Sequence, residues 1–161
     1  MTIKSITPFL WFDGEAEEAA NFYVAIFPDS RITRLARYGD TGPGPKGSVM
    51  VLDLELAGQK LIFLNGGPHF KLDEAFSLYV DCTEQAEIDR LWKVLGEGGA
   101  YNVCGWLKDR FGVSWQIQYA GMPDLLGGPN ADKVMAAMMG MAKIDIRALT
   151  DAAGDAARNP A

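Results

Sequence analysis

The sequence predicts an α+β fold in which a strand, a helix and three further strands occur twice in succession and are followed by a helical C-terminal extension. Two observations carry this prediction. The order of apolar periodicities is the same in both halves of the 161-residue chain. Superposing Asp13 on Asp81 also superposes Phe27 on Leu95, so the repeat is one of pattern rather than of residue identity. Internal repeats of this kind constrain architecture more strongly than local propensities do.

The first helix is the clearest element of the first half. Residues 3–12 are apolar and compatible with a strand, and Asp13-Gly14 ends that pattern. The apolar residues that follow recur at helical spacing and make one stripe: Ala16, Ala19, Ala20, Tyr23, Ile26 and Phe27. Pro28 then ends the helix.

Three strands are predicted after this helix. Residues 31–38 favour a strand, although arginine at every third position leaves a helix open. A loop rich in glycine and proline covers 39–47. Apolar residues alternate with polar ones at 50–56, as in a half-buried strand. Ala57-Gly58 then suits a two-residue turn into a returning strand at 60–65.

The second half repeats this order. Residues 76–81 predict a strand, and Thr83 is placed to cap a helix. The apolar stripe of that helix comprises Ile88, Leu91, Trp92 and Leu95. Short strand-like runs follow at 100–104, 105–110 and 113–119, with Phe111-Gly112 as a turn.

The remaining residues predict helices. Met122–Leu126 suit a short helical turn, and Asn130 is placed to cap a helix that runs through Met141. Ile144, Ile146 and Leu149 continue an apolar face, and the chain is expected to fray from Gly154. We therefore expect a first module at 1–68, a second module at 69–121 and a helical extension at 122–161.

Composition excludes several classes of function. The net charge of −6 argues against general nucleic-acid binding, and we interpret the arginines at 31, 34 and 37 as a solvated face. Cys82, Cys104 and His69 are too few, and wrongly spaced, for a disulfide framework or a structural zinc site. No apolar run approaches the roughly 20 residues that span a bilayer, and no signal core is visible. We expect a cytoplasmic protein with neither nucleic-acid nor membrane partners.

Several strings resemble the PhnB-like branch of the vicinal-oxygen-chelate (glyoxalase/bleomycin-resistance-like) superfamily. The most specific is Cys104–Gln116, which reads CGWLKDRFGVSWQ. The others are PFLWFDG at 8–14, AEEA at 16–19, NFY at 21–23, IFP at 26–28, LNGG at 64–67 and MAKIDI at 141–146. Members of this branch often carry the label 3-demethylubiquinone-9 3-methyltransferase.

The resemblance implies paired βαβββ modules whose mixed sheets curl into a cup around a cavity. In metal-dependent relatives, four inward residues hold a divalent ion. The corresponding positions here are Pro8, one residue between Phe63 and Asn65, Ala75 or Ser77, and Gln116. Proline and alanine offer no side-chain donor, and serine and glutamine are weak neutral ligands. We therefore expect neither a metal site nor a cofactor.

The candidate ligand-binding residues are those expected to line this cavity: Pro8, Asn65, Ser77, Cys104, Trp106 and Gln116. Each has a structural alternative. The side chains of Asn65, Ser77 and Gln116 can instead satisfy backbone groups. Trp106, like Trp11 and Trp115, can belong to the core or to a dimer interface. Cys104 can be a buried, unreactive thiol. Asp53 and Glu55 are an acid–base pair only if their strand face lines the cup. No catalytic residue is assigned.

Two classes of function stay open. The first is a metal-independent protein that binds a small organic ligand in the cavity, and we favour it because the ligand positions are poor. The second is an enzyme of lyase, isomerase or dioxygenase type on a small metabolite. Methyl transfer is a distant third, since an S-adenosylmethionine site on a doubly wound sheet needs alternating strands and helices. The resemblance also implies a homodimer.

Overall fold

A computed structural model describes residues 2–154 of the chain. It contains eight strands and five helices in this range, in two compact units that meet in sequence at Leu72 and Asp73. The predicted doubled βαβββ order and the helical extension are confirmed. The predicted module boundaries after residues 68 and 121 stay a prediction. The expected fraying after Gly154 falls on residues 155–161, which lie outside the described range.

The first unit is one four-stranded sheet with one helix. Its elements are β1 (Phe9–Phe12), α1 (Ala16–Ile26), β2 (Arg31–Arg37), β3 (Val49–Leu56) and β4 (Gln59–Asn65). The strand order is β1-β4-β3-β2, with β1 parallel to β4 and the other pairs antiparallel. The first strand is shorter than the predicted 3–12 because its ladder with β4 begins only at Phe9.

Two details of this sheet explain the sequence pattern. A register shift between Ile32 and Arg34 bulges β2, so Arg31 lies opposite Glu55 and Arg34 opposite Asp53. Because a bulge adds one residue to a strand, an every-third-residue arginine pattern fits a strand, and the helical alternative is wrong. Ala57 and Gly58 both have positive φ values, 45° and 87°, as a two-residue hairpin turn of type I′ requires.

The core of the first unit follows from strand and helix periodicity. Alternate side chains of β3 and β4 are buried against the apolar stripe of α1, which packs on both strands. The fully buried members include Ala19, Ala20, Tyr23, Leu52, Leu54, Leu61 and Phe63. The opposite face of β3 and β4 is less buried and mixed in character, with Asp53, Glu55 and Lys60 beside Val51, Ile62 and Leu64.

The second unit contains a second four-stranded sheet and all remaining helices. Its elements are β5 (Leu78–Cys82), α2 (Gln85–Gly96), β6 (Ala100–Tyr101), β7 (Trp106–Lys108), β8 (Ser114–Tyr119), α3 (Met122–Gly127), α4 (Ala131–Met139) and α5 (Ile146–Ala153). The strand order is β5-β8-β7-β6, with β5 parallel to β8. No helix of the described residues is both long and apolar enough to cross a bilayer.

Of the two predicted helix caps, Thr83 is wrong, and Asn130 is correct in position but makes no capping hydrogen bond. Thr83 does not cap α2; its backbone N–H and its hydroxyl both donate to the Glu87 carboxylate, at 3.1 and 3.3 Å. Asn130 stands at the start of α4, but its side-chain amide donates to the Ala153 carbonyl at 2.9 Å and so ties α4 to α5. Helix α4 also ends at Met139 rather than at Met141. In both places a tertiary or side-chain partner replaces the local backbone bond.

Candidate functional site

The second sheet has one apolar face and one polar face. Leu78, Val80, Trp115 and Ile117 alternate along β5 and β8 on the side where α2 packs. The intervening residues point the other way, because successive side chains of a strand alternate between faces. We call these residues the polar face: Tyr79, Asp81, Trp106, Lys108, Ser114, Gln116 and Gln118.

One row of the polar face crosses three strands. Gln116 on the central strand β8 is in register with Tyr79 on β5 and with Trp106 on β7. Tyr79 is 49% exposed, while Trp106 and Gln116 are half-buried. Tyr79 and Trp106 therefore lie on either side of the Gln116 amide. Their two strands are separated by two strand spacings, or about 9.6 Å.

Three of the residues predicted from sequence meet here. The Gln116 side-chain amide donates to the Ser77 hydroxyl at 2.9 Å, and Trp106 stands beside Gln116 in the ladder. The pKa of Tyr79 is raised, first because the ring is partly buried and second because the Asp81 carboxylate lies nearby. Tyr79 thus presents a protonated phenol, which can donate a hydrogen bond at neutral pH.

Cys104 contributes to this site through its backbone. Its φ of 58° places it in the left-handed region, which is uncommon for a residue other than glycine. Its N–H donates to the Met141 carbonyl at 2.8 Å, and its carbonyl accepts from the Gln118 amide at 2.6 Å. The neighbouring Gly105 N–H donates to the Ala142 carbonyl at 2.7 Å. These bonds hold the entry to β7 and so the position of Trp106.

Ser114 and Lys108 form the next row of the polar face. They are paired across β8 and β7, and Lys108 Nζ lies 2.5 Å from Glu74 Oε1. The hydrogen bond from Lys108 lowers the pKa of the Glu74 carboxyl. Ser114 is 1% exposed, and its hydroxyl has no hydrogen-bond partner, the sole such buried side-chain atom among residues 2–154.

The other two predicted residues, Pro8 and Asn65, belong to the first unit. Pro8 precedes β1, and its carbonyl accepts from the Ile62 N–H at 3.0 Å. Asn65 uses both ends of its side-chain amide: Oδ1 accepts from the Ala16 N–H at 2.8 Å, and Nδ2 donates to the Val49 carbonyl at 3.0 Å. Asn65 therefore fastens the start of α1 to the sheet, which is the structural alternative for this residue.

A cleft of about 400 Å³ lies beside Asn65 in the first unit. It is lined by the glycine- and proline-rich loop after Tyr38 and by the loop from Gly66 to His69, with Asp13 at its edge. His69 and Asp13 are both exposed. The Tyr38 hydroxyl and the Asn65 amide in this lining are bonded to backbone groups of the same unit, the former to the Asn65 carbonyl at 2.6 Å. Because three of the residues predicted from sequence meet on the polar face of the second sheet, we place the candidate site there.

Asp53 and Glu55 are engaged in ion pairs. Asp53 accepts two hydrogen bonds from Arg34, at 2.8 and 3.0 Å, and Glu55 lies 2.8 Å from Arg31. The hydrogen bond and the charge of Asp53 raise the pKa of Arg34. Both pairs are cross-strand pairs near the surface, so their role here is to hold β2 on β3.

The most specific sequence string contains a structural clamp. Asp109 is 3% exposed; its Oδ1 accepts the N–H groups of Phe111 and Val113, at 2.9 and 3.0 Å, and its Oδ2 accepts the Trp115 indole N–H at 2.8 Å. The neighbouring Lys108 forms an ion pair with Glu74. Trp115 is buried core and cannot stack on a ligand.

Sequence reasoning missed Tyr79, Lys108 and Ser114 as members of this surface. Strand alternation was the available signal. Tyr79 lies two residues after Ser77, and Ser114 two residues before Gln116, so the members of each pair point to the same face of the sheet. The pairing of β5 with β8, which brings Tyr79 beside Gln116, has no counterpart in local sequence.

The positions that hold a metal in relatives of the glyoxalase type lack suitable donors. Both amide ends of Asn65 are bonded to backbone, and the Gln116 amide N–H is bonded to Ser77. Among residues 2–154, no three His, Cys, Asp or Glu side chains are grouped as metal ligands would be. The donor set at these positions does not fit a hard or borderline divalent cation.

Comparisons with known proteins agree with the sequence resemblance. A family profile described as 3-demethylubiquinone-9 3-methyltransferase matches residues 4–118. A PhnB protein from Bacillus cereus is similar at 38% identity, covering 73% of this chain and 100% of its own, with a TM-score of 0.67. Protein PA1353 from Pseudomonas aeruginosa is similar at 25% identity, covering 68% of this chain and 92% of its own, with a TM-score of 0.58. No curated protein matches the chain.

Proposed function

The chain belongs to the PhnB-like 3-demethylubiquinone-9 3-methyltransferase family, and from that premise we propose that it binds a small planar organic molecule on the polar face of its second sheet, without a metal. The observation that carries this proposal is the row in which Tyr79 and Trp106 flank Gln116. Aromatic rings offer large apolar contact at a low entropic cost, and an amide between them gives orientation.

The polar groups around this row favour a neutral ligand with hydrogen-bonding atoms. Ser77 accepts one N–H of Gln116, which leaves the Ser77 hydroxyl proton and the second Gln116 N–H as donors and the Gln116 side-chain carbonyl oxygen as an acceptor. Lys108 is neutralised by Glu74. A flat ring with carbonyl or hydroxyl substituents matches aromatic walls and uncharged polar groups together.

Methyl transfer, named in the family description, does not fit the chain. Each unit has one helix crossing from a first strand into antiparallel strands, whereas a doubly wound S-adenosylmethionine site needs alternating parallel strands and helices. After β1 the chain continues Asp13-Gly14-Glu15, and the first free N–H of α1, that of Ala16, is already bonded to Asn65. An acidic first turn with Glu17 and Glu18 also disfavours an anionic group there.

The test is equilibrium dialysis with duroquinone (tetramethyl-1,4-benzoquinone), a flat neutral ring with two carbonyl oxygens. We expect saturable binding that EDTA leaves unchanged, and no binding of S-adenosylmethionine. Trp106→Leu should raise the Kd by about two- to tenfold, since an aromatic contact contributes about 0.5–1.5 kcal/mol beyond its area. The matched control is Trp92→Leu, which alters a tryptophan of α2 that stacks on Tyr101 at 4.9 Å. Equal effects of the two variants, or loss of binding with EDTA, would contradict the proposal.

We also propose a homodimer in the cytoplasm. Large apolar side chains near the free edge of β1 are exposed, including Ile3, Ile6 and Phe9, and such residues commonly mark protein contacts. Both cysteines are unpaired, which suits a reducing compartment. Size-exclusion chromatography with light scattering should give twice the 17.5 kDa of one chain. A monomer at micromolar concentration would contradict the first part.

A further inference from the structure

Two aspartate or asparagine residues of the described chain are followed directly by glycine, at Asp13-Gly14 and at Asn65-Gly66. A glycine nitrogen has no Cβ on its own residue to shield it, so it can attack the preceding side-chain carbonyl group and close a five-membered succinimide ring. We propose that Asp13 is the site at which the folded protein isomerises to L-isoaspartate, and that the fold protects Asn65 from the equivalent reaction.

The isomerisation of Asp13 needs water and no other reagent. The Gly14 nitrogen bonds to the side-chain carboxyl carbon of Asp13, and the carboxyl hydroxyl and the proton of that nitrogen leave together as water. A second water then adds to the main-chain carbonyl carbon of the ring and breaks its bond to the Gly14 nitrogen. The peptide now runs through the Asp13 Cβ, and the former main-chain carbonyl is a free carboxylate.

In an unstructured chain, Asn65-Gly66 is the more reactive of the two. Its ring closes by the same attack, but ammonia leaves instead of water. The amide of Asn65 is neutral, whereas the Asp13 carboxylate is ionised at neutral pH and resists a nucleophile. The sequence alone therefore ranks Asn65 before Asp13, and only the folded structure can reverse that order.

Hydrogen bonds hold Asn65 and Gly66 away from this reaction. Asn65 Oδ1 accepts from the Ala16 N–H at 2.8 Å, and Nδ2 donates to the Val49 carbonyl at 3.0 Å. The attacking nitrogen is engaged as well, because the Gly66 N–H donates to the Phe12 carbonyl at 2.9 Å. Gly66 is also buried. Three hydrogen bonds must open before its nitrogen can reach the amide carbon.

Nothing comparable restrains Asp13 and Gly14. Both are exposed, in the bend between β1 and α1, and the Asp13 carboxylate has no hydrogen bond or ion pair within residues 2–154. The space beside the Gly14 Cα is open, with no atom within 4 Å of a Cβ placed there. The Gly14 N–H donates only to the exposed carboxylate of Glu15, at 3.1 Å. Asp13 and Asn65 border the same cleft, so bonding rather than location distinguishes them.

Isomerisation at Asp13 has a consequence for α1. It adds one carbon atom to the main chain shortly before the Ala16 N–H, which Asn65 holds at 2.8 Å. It also displaces the Asp13 carbonyl, which accepts from the Gly67 N–H at 3.2 Å. Both changes loosen the attachment of α1 to the end of β4, so hydrogen exchange at the Ala16 N–H should be faster in the isomerised protein.

The experiment ages the purified protein for several weeks at neutral pH and body temperature, once folded and once unfolded in guanidinium chloride. Peptides are then mapped with endoproteinase Asp-N, which cleaves before aspartate but not before isoaspartate, and deamidation of Asn65 is read from the peptide mass. The test variant is Gly14→Ala and the matched control is Gly39→Ala. At both glycines the space for a Cβ is open and φ lies outside the left-handed region, so both variants should fold.

We expect isoaspartate at position 13 to accumulate in the folded wild type while Asn65 stays intact. In guanidinium chloride Asn65 should react first, and at least about tenfold faster than in the folded protein, because three hydrogen bonds no longer hold it. Gly14→Ala should slow isomerisation of Asp13 severalfold, since its Cβ hinders the attacking nitrogen. Gly39→Ala should match the wild type.

Three results would overturn the proposal. The first is an intact Asp13 in the aged, folded wild type. The second is deamidation of Asn65 in the folded protein at the rate seen in guanidinium chloride. The third is a Gly14→Ala variant that isomerises as fast as Gly39→Ala. None of these measurements involves a ligand, so their outcome is independent of the proposed binding function.

Discussion

The replacement Asp109→Asn tests the structural clamp at the centre of the chain's most specific sequence string. Asparagine has the same shape as aspartate, but one terminal oxygen becomes an NH₂ donor. In the native protein both carboxylate oxygens accept hydrogen bonds, from two backbone N–H groups and from the Trp115 indole. Whichever way the new amide is turned, a donor faces a donor in a region that excludes water.

The expected cost follows from these contacts. Leaving one buried N–H without a partner costs about 1–3 kcal/mol, and the bonds that remain lose the strength that a charged acceptor gives, about 1 kcal/mol more. We expect Asp109→Asn to lower the free energy of unfolding by about 3 kcal/mol. For a chain of this size, that corresponds to a fall in Tm of about 6–12 °C.

A double-mutant cycle isolates the bond to the indole. Trp115→Phe removes the indole N–H together with part of a buried ring, so by itself it also destabilises. In the double variant the new amide no longer meets that N–H. The loss of stability in the double variant should therefore be smaller than the sum of the two single-variant losses, by about 1–2 kcal/mol. Urea unfolding followed by circular dichroism measures all four proteins. Asp81→Asn, at an exposed strand position, is the control and should stay within about 0.5 kcal/mol of the wild type.

Two outcomes would refute this reasoning. One is a loss for Asp109→Asn no larger than that of the Asp81 control. The other is strict additivity in the cycle, which would mean that the 2.8 Å contact between Asp109 and the Trp115 indole contributes no energy of its own.

Further predictions concern other single residues. Cys82 is 2% exposed, and burial, followed by the charge of Glu87, raises its pKa to about 11. Iodoacetamide should therefore leave Cys82 unmodified at pH 8 until the protein is unfolded, as measured by mass mapping. Between about pH 9 and 11 the folded protein keeps a proton that the unfolded chain releases, so stability falls as pH rises, and Cys82→Ala should make this fall less steep in urea titrations. Asn65→Ala removes two hydrogen bonds and should lower the free energy of unfolding by about 2 kcal/mol; an unchanged urea midpoint would contradict its role. Gln85→Ala removes the amide that binds the backbone on either side of Asp145, and should speed hydrogen exchange at the Ile146 N–H but not in β4.

Much of the fold could be predicted from local sequence, and much less of the site. The alternation at Leu52, Leu54 and Leu56 predicts which face of β3 is buried. The apolar stripe of α2 predicts which side of that helix packs on the second sheet. Strand ends were less predictable. The run at 105–110 yields only three strand residues, because Cys104 and Gly105 adopt positive φ before it and Asp109 closes a turn after it.

The candidate residues separate according to where their hydrogen bonds go. Asn65 looked like a ligand-binding amide, but two backbone groups that are distant in sequence use both of its ends. Ser77, Trp106 and Gln116 meet on one face. Whether an amide serves the backbone or a ligand depends on partners that folding brings to it, so residue type alone could not distinguish these cases.

The sequence by itself determined the repeated order of strand, helix and three strands, because periodicity and turn residues act over a few neighbours. Together with the family resemblance, it also placed proline, glutamine, alanine or serine, and one residue between Phe63 and Asn65 at the positions used for metal in relatives of the glyoxalase type. Only the tertiary structure decided that Tyr79 stands beside Gln116, and that the Ser114 hydroxyl is buried without a partner. Those facts depend on the pairing of β5, β8 and β7, and strand register between segments far apart in sequence is set by the packing of the whole sheet.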